Sequence, residues 1–158
     1  MDLVAERKKD GIRCGSILYG MQTRIMSKQD VAYIESSDVH IGEFTVRQNL
    51  VYAALLRLGA GMTTEALDKC VIDAAMAVGL SNKLDVIVGT DLVKGISGGQ
   101  KKRLSIATEL LAVPSILCLD EPTSGIHLFI YLFILLEIVY QIYVSTGIAL
   151  HLCLFFVS

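Results

Sequence analysis

The stretch Gly95–Ala112, GISGGQKKRLSIATELLA, decides how this chain is read. Ser97 suits a helix N-cap, and behind it Leu104, Ala107, Leu110 and Leu111 recur at helical spacing. Glycines at 98 and 99 leave the first-turn N–H groups uncovered by side chains, which makes such a helix start an anion site. Lys101, Lys102 and Arg103 occupy the same turn, where the helix dipole disfavours cations by roughly 0.3 to 1 kcal/mol each when exposed. That inversion makes sense if a phosphate docks nearby. A serine cap followed by a solvated basic face is the plain alternative, and local physics alone leaves both open.

Toward the C-terminus, Ser115–Leu119 (SILCL) is a near-continuous apolar run ending in Asp120 and Glu121. Such a run suits a parallel strand covered on both faces, and open α/β sheets place ligands at the carboxyl ends of their strands. The two adjacent carboxylates are therefore a site candidate. Toward the N-terminus, Thr45 and Gln48 make a capping box, after which Val46, Leu50, Ala54 and Leu58 predict a helix. A second helix is predicted from about Thr64 to Val78, with Leu67, Cys70, Val71, Ala74 and Val78 on one face and Gly79 as its stop. Ser16–Tyr19 and Val31–Ile34 read as short strands. Met1–Lys9 reads as the last turns of a helix, with Gly11 after it.

ISGGQKKRLSIATELL (96–111), followed by LCLDEPTSG (117–125), resembles in order and spacing the signature helix and the Walker B strand of ABC transporter ATPases. The wording GISGGQKKRLSIA, with the earlier TVRQNLVYAALLRL, is most similar to the G subfamily of lipid, sterol, pigment and xenobiotic exporters. The resemblance implies an α/β, partial P-loop NTPase domain over residues 1–125 with a helical signature subdomain, followed by a C-terminal apolar helical segment, 126–158. It implies that Ser97, Gly98, Gly99 and Gln100 face the γ-phosphate of an ATP held by a second nucleotide-binding domain in a head-to-tail dimer. It also implies that Asp120 orients magnesium through water and that Glu121 polarises the attacking water for in-line phosphoryl transfer. The implied partners are that second domain, an ABC transmembrane domain and the membrane, with residues 1–125 on the cytoplasmic side.

Three departures from the family pattern shape the expectation. No GxxxxGK[ST] occurs in the 158 residues, so the nest of N–H groups and the lysine that grip β- and γ-phosphates are missing. MDLVAERKK resembles the helix that follows that loop, and the chain is expected to begin after it. In the segment AYIESSDVHIGEFTV (32–46), Ser36 stands where the family's Q-loop has glutamine, which puts coupling to a membrane domain in doubt. After Ser124 and Gly125 the chain reads Ile126 and His127 instead of leucine and the D-loop aspartate, and no later segment resembles the one bearing the switch histidine. His127 and His151 are out of register for that role.

Composition divides the chain at the same place. Of the 14 basic and 16 acidic side chains, Glu137 alone lies beyond Gly125. From Leu128 to Val144 there are twelve Leu, Ile, Phe or Val residues, each favouring insertion by about 0.3 to 0.6 kcal/mol against about 2.5 to 3.5 for one central acid. The run is thus either a transmembrane or membrane-surface anchor, or read-through sequence joined where the family pattern breaks. The second reading is preferred, because in the family the membrane helices follow the whole nucleotide-binding domain. The net charge of -2 gives no electrostatic reason for a nucleic-acid partner. Cys14, Cys70, Cys118 and Cys153 are widely spaced without a CxxC pair, which points away from zinc or a disulfide framework. The function expected is an ATP-binding, ATP-hydrolysing exporter subunit, inactive as this chain alone. The alternative is a non-catalytic, membrane-associated module that lends its signature motif to a partner subunit.

Overall fold

The computed structural model describes residues 31–35, 37–59, 61–112, 114 and 116–119. Two strands, β1 (Val31–Ile34) and β2 (Ile116–Leu119), pair in parallel with Ile34 opposite Leu119. Between them come three helices, α1 (Val46–Leu58), α2 (Thr64–Ala77) and α3 (Gly98–Leu110), and a single 3-10 turn at Ser81–Lys83. The strands expected at 31–34 and within 115–119 are both present, and they pair in parallel, as expected of SILCL. The elements expected at Met1–Lys9 and Ser16–Tyr19, and the apolar segment 126–158, lie outside the described residues. Among the described residues no helix is long and apolar enough to cross a membrane.

Each helix starts and stops for reasons local to its sequence. Thr45 Oγ1 accepts from the Gln48 amide at 3.2 Å and Gln48 Oε1 accepts from the Thr45 amide at 2.9 Å, so the expected capping box closes the start of α1. Thr63 caps α2 through the Ala66 amide at 3.3 Å. At the other end of α2, Gly79 adopts φ 67°. There the Leu80 amide donates to the Ala75 carbonyl at 2.8 Å and the Gly79 amide to Met76 at 3.0 Å. This pair of bonds is a Schellman stop, which needs a residue tolerant of the left-handed region at position 79.

The apolar stripes of the three helices meet in one core. Val46, Leu50 and Ala54 from α1 are buried with Val71, Ala74 and Ala75 from α2 and Leu104, Ile106, Ala107 and Leu110 from α3. Ala32 and Ile34 of β1 join the same cluster, so α3 is packed between its fellow helices and the strand. Leu58, expected on the core face, is 37% exposed at the last turn of α1, where Gly59 ends the helix before the stripe completes another turn. Arg47 bonds Asp68 at 2.6 Å across α1 and α2, and Arg57 pairs with Glu109 across α1 and α3. These pairs are partly exposed and each contributes at most about 1 kcal/mol.

The loop after the 3-10 turn returns over the start of α1. The Val46 amide donates to Val86, Arg47 to Leu84, and Val88 to Phe44, all within 3.0 Å. Next, Gly89 (φ 90°) and Gly95 bring two stretches of backbone so close that a side chain on Gly95 would strike the Val88 carbonyl. This contact sets the height at which the chain enters Ile96 and Ser97. Leu104→Ala, at a fully buried position, is expected to lower the unfolding free energy by about 2 to 5 kcal/mol. Leu56→Ala, at a position 85% exposed, should change it by less than about 0.5 kcal/mol. Urea unfolding followed by circular dichroism would measure both.

Candidate functional site

Ser97 stands at φ -69°, ψ 161°, outside the helix, and its Oγ accepts from the Gln100 amide at 3.4 Å. Gln100 Oε1 accepts in return from the Ser97 amide at 2.8 Å, and the Lys101 amide donates to the Ser97 carbonyl at 2.8 Å. The turn is therefore a second capping box. Its S-x-x-Q spelling is readable from sequence, yet the sequence reading gave Gln100 only a ligand-facing role. Half of that residue's amide group is already committed to the cap, leaving its NH₂ to point elsewhere.

The amides of Gly98 and Gly99 donate no hydrogen bond to any described residue. Ser97 and Gly98 are exposed, and Gly99 and Gln100 are half-buried. A Cβ built on Gly98 meets no heavy atom within 4 Å, and its φ is ordinary, so the fold itself does not require glycine there. What benefits from the missing side chain is an atom approaching from outside. Two open N–H groups, the positive end of a three-turn helix and a serine hydroxyl whose proton is still available suit a phosphate oxygen.

Two of the three cations of this turn, Lys101 and Lys102, have other partners than the sequence suggests. Lys101 Nζ donates to the Gly89 carbonyl at 3.1 Å. Lys102 is 4% exposed, and its Nζ donates to the Glu35 carbonyl at 2.5 Å and lies 3.8 Å from Asp38 Oδ1. Arg103, half-buried, runs past the end of α2, with its guanidinium near Gly79. Helical side chains lean toward the N-terminus, so these two lysines reach the loop and the post-β1 segment that flank the helix start. The dipole cost is offset by charge-assisted bonds to carbonyls, each worth about 1.5 to 3 kcal/mol, and a docked phosphate is not needed to explain the basic run.

Asp120 and Glu121, and Ser36 of the post-β1 segment, lie outside the described residues. β2 ends at Leu119, opposite Ile34, and β1 leads into Glu35 at that carboxyl edge. Residues 37–41 run from that edge to α3, where His40 Nε2 lies 3.0 Å from the Lys101 carbonyl and 3.0 Å from Ser105 Oγ. The strand edge and the open helix start are thus mechanically joined through Lys102 and His40, a link that sequence reasoning missed. Among the described residues no cluster of His, Cys, Asp and Glu is arranged to hold a metal.

The chain is similar to known proteins over most of its length. The family model described as ABC transporter matches residues 5–124. ABC transporter G family member 24 of Dictyostelium discoideum is 40% identical over 127 residues, covering 80% of this chain and 11% of that protein. The broad substrate specificity ATP-binding cassette transporter ABCG2 of Bos taurus is 39% identical over 127 residues, 80% of this chain and 19% of its own length. ABC transporter G family member 13 of Arabidopsis thaliana is 41% identical over 115 residues, 73% of this chain and 17% of its own. The chain spans between a tenth and a fifth of the length of these relatives.

The open space at Gly98 and the capping bond at Ser97 predict different effects on stability. Gly98→Ala should leave the unfolding free energy unchanged or raise it by about 0.5 to 1 kcal/mol. Ser97→Ala, which removes a capping bond, should lower it by about 0.5 to 2 kcal/mol. Urea midpoints at constant slope would report both.

Proposed function

Since this chain belongs to the ABC transporter family and is similar to its G-family members, we propose that it is part of the ATP-binding and ATP-hydrolysing subunit of a membrane exporter of the lipid, sterol or xenobiotic class. The family implies a P-loop NTPase fold, and the parallel pair β1 and β2 with its helices is compatible with a part of one. In this reading residues 1–125 are the nucleotide-binding part on the cytoplasmic side of a membrane, and 126–158 is a separate apolar segment. The observation that carries the proposal is the pair of uncommitted amides at Gly98 and Gly99, with room above Gly98 that folding does not demand.

The chemistry follows from that geometry. A γ-phosphoryl group in transfer spreads charge over its equatorial oxygens, and donors fixed in advance stabilise that charge without reorganising. The Gly98 and Gly99 amides and the Ser97 hydroxyl are such donors, held by the cap and by the positive end of α3. By the family resemblance they act in trans, on ATP bound by a second nucleotide-binding domain, while the acids after β2 serve nucleotide at the opposite site. Glu121, beyond the end of β2, polarises the attacking water, and Asp120 is the residue that would hold magnesium through water. Magnesium would supply charge neutralisation between the phosphates.

An outward apolar strip is consistent with a second partner, the transmembrane domain. Tyr52, Leu55 and Leu56 share the solvent face of α1, and the Phe44 ring stacks on Tyr52 at 5.2 Å. Val39 and Ile41 are also exposed, in the segment leading to α1. A strip of this kind marks an interaction surface.

A second reading keeps the same geometry without catalysis by this chain: a membrane-associated module that lends Ser97–Gln100 to an intact subunit. It draws on the same amides at Gly98 and Gly99, which have no partner among the described residues. Both readings predict that the chain co-purifies with an intact G-type half-transporter when ATP and magnesium are present, and that Ser97→Arg abolishes this. Only the first predicts that Glu121→Gln lowers ATP turnover of the assembled transporter, by about 10² to 10⁴-fold. Neither reading allows the isolated chain to bind a fluorescent ATP analogue at micromolar strength, and such binding would contradict both.

A further inference from the structure

Beside the open amides, a polar cluster joins residues 37–41 to α3. The Ser105 hydroxyl donates to Asp38 Oδ1 at 2.8 Å, and its oxygen lies 3.0 Å from His40 Nε2. That same nitrogen lies 3.0 Å from the Lys101 carbonyl, an acceptor only. With the serine proton committed to Asp38, the network assigns the His40 proton to Nε2, so that a further proton would have to add at Nδ1. Lys102 completes the cluster through the Glu35 carbonyl and Asp38.

We propose that Asp38, His40, Lys102 and Ser105 form a pH-sensitive clasp that holds residues 37–41 on α3 in neutral medium and loosens on acidification. The clasp acts on the helical turn that begins at Ser97. If the ATP-facing reading of Ser97–Gln100 holds, on which this consequence rests, it sets how firmly the phosphate-facing amides are oriented.

The charged groups that face the imidazole are Asp38 on its own segment and Lys101 and Lys102 on α3. Burial disfavours the imidazolium first and most. The bond to the Lys101 backbone and the Asp38 charge work the other way, and the two ammonium groups add to the lowering. The result is a His40 pKa below the ordinary 6.5. A lowered histidine pKa means that the unfolded or opened state binds more protons than the closed one. The stabilisation from His40 is therefore present above the ordinary value and is lost as pH falls through the lower, closed-state value.

The test is amide hydrogen exchange on the full 158-residue chain without nucleotide, corrected for intrinsic rates, at about pH 5 and about pH 8. Protection of the Lys101–Ser105 amides should fall severalfold at the acid pH in the wild-type chain. In His40→Gln, which keeps a nitrogen donor but does not titrate, protection should be the same at both. Lys101→Met removes a facing cation but keeps the carbonyl, and should move the loss of protection to higher pH. Protection that is flat in the wild type, a wild-type slope retained in His40→Gln, or an unmoved midpoint in Lys101→Met would each overturn the clasp. Because nucleotide is absent throughout, failure here leaves the ATP-facing reading to its own test, and the reverse.

Discussion

A buried ammonium fixes the geometry on which the candidate chemistry depends. Lys102 sits almost without solvent, and its charge is balanced by the Glu35 carbonyl and the Asp38 carboxylate just beyond the carboxyl end of β1. Burying an ammonium without such partners would cost several kcal/mol, so α3 cannot rotate or slide without giving up that balance. The first turn of the helix, with its open amides, is thereby held at a set position relative to the strand edge.

Around this contact the remaining elements divide the work. The apolar faces of α1 and α2 hold α3 from the other side, through Leu50, Val71 and Leu104 among others. The close approach of Gly89 and Gly95 delivers the chain to Ser97, and Lys101 ties the helix back onto that loop through the Gly89 carbonyl. The capping box of Ser97 and Gln100 then satisfies the donors that can be satisfied internally, leaving two with no partner among the described residues. A cradle built this way is preorganised, because the groups that would meet a phosphate oxygen have no competing partner among the described residues.

Much of this was legible in the sequence wherever the cause was local. Thr45 and Gln48, three residues apart, specified the start of α1, and Gly79 specified the end of α2, because caps are short-range chemistry. The strand at 31–34 was legible from β-type residues, but its parallel pairing with 116–119 joins segments more than eighty residues apart, which neither segment encodes alone. The same limit hid the role of the basic run. Lys102 and its partners Glu35 and Asp38 are more than sixty residues apart, and a lysine in a run of cations reads as solvated or as ligand-facing until the fold brings a carbonyl to it. His40 was hidden likewise, since its partners lie on α3. The roles of Asp120 and Glu121 rest on family resemblance and on their position after a strand whose existence the structure bears out.

The account stands most directly on whether the Gly98 and Gly99 amides meet nucleotide held by another subunit. Hydrogen exchange of the chain mixed with an intact G-type nucleotide-binding domain, with and without ATP and magnesium, would measure this. Strong new protection confined to the Ser97–Gln100 turn, and only when that domain carries ATP, is the predicted result. Unchanged exchange at this turn, or protection that appears equally without nucleotide, would contradict it.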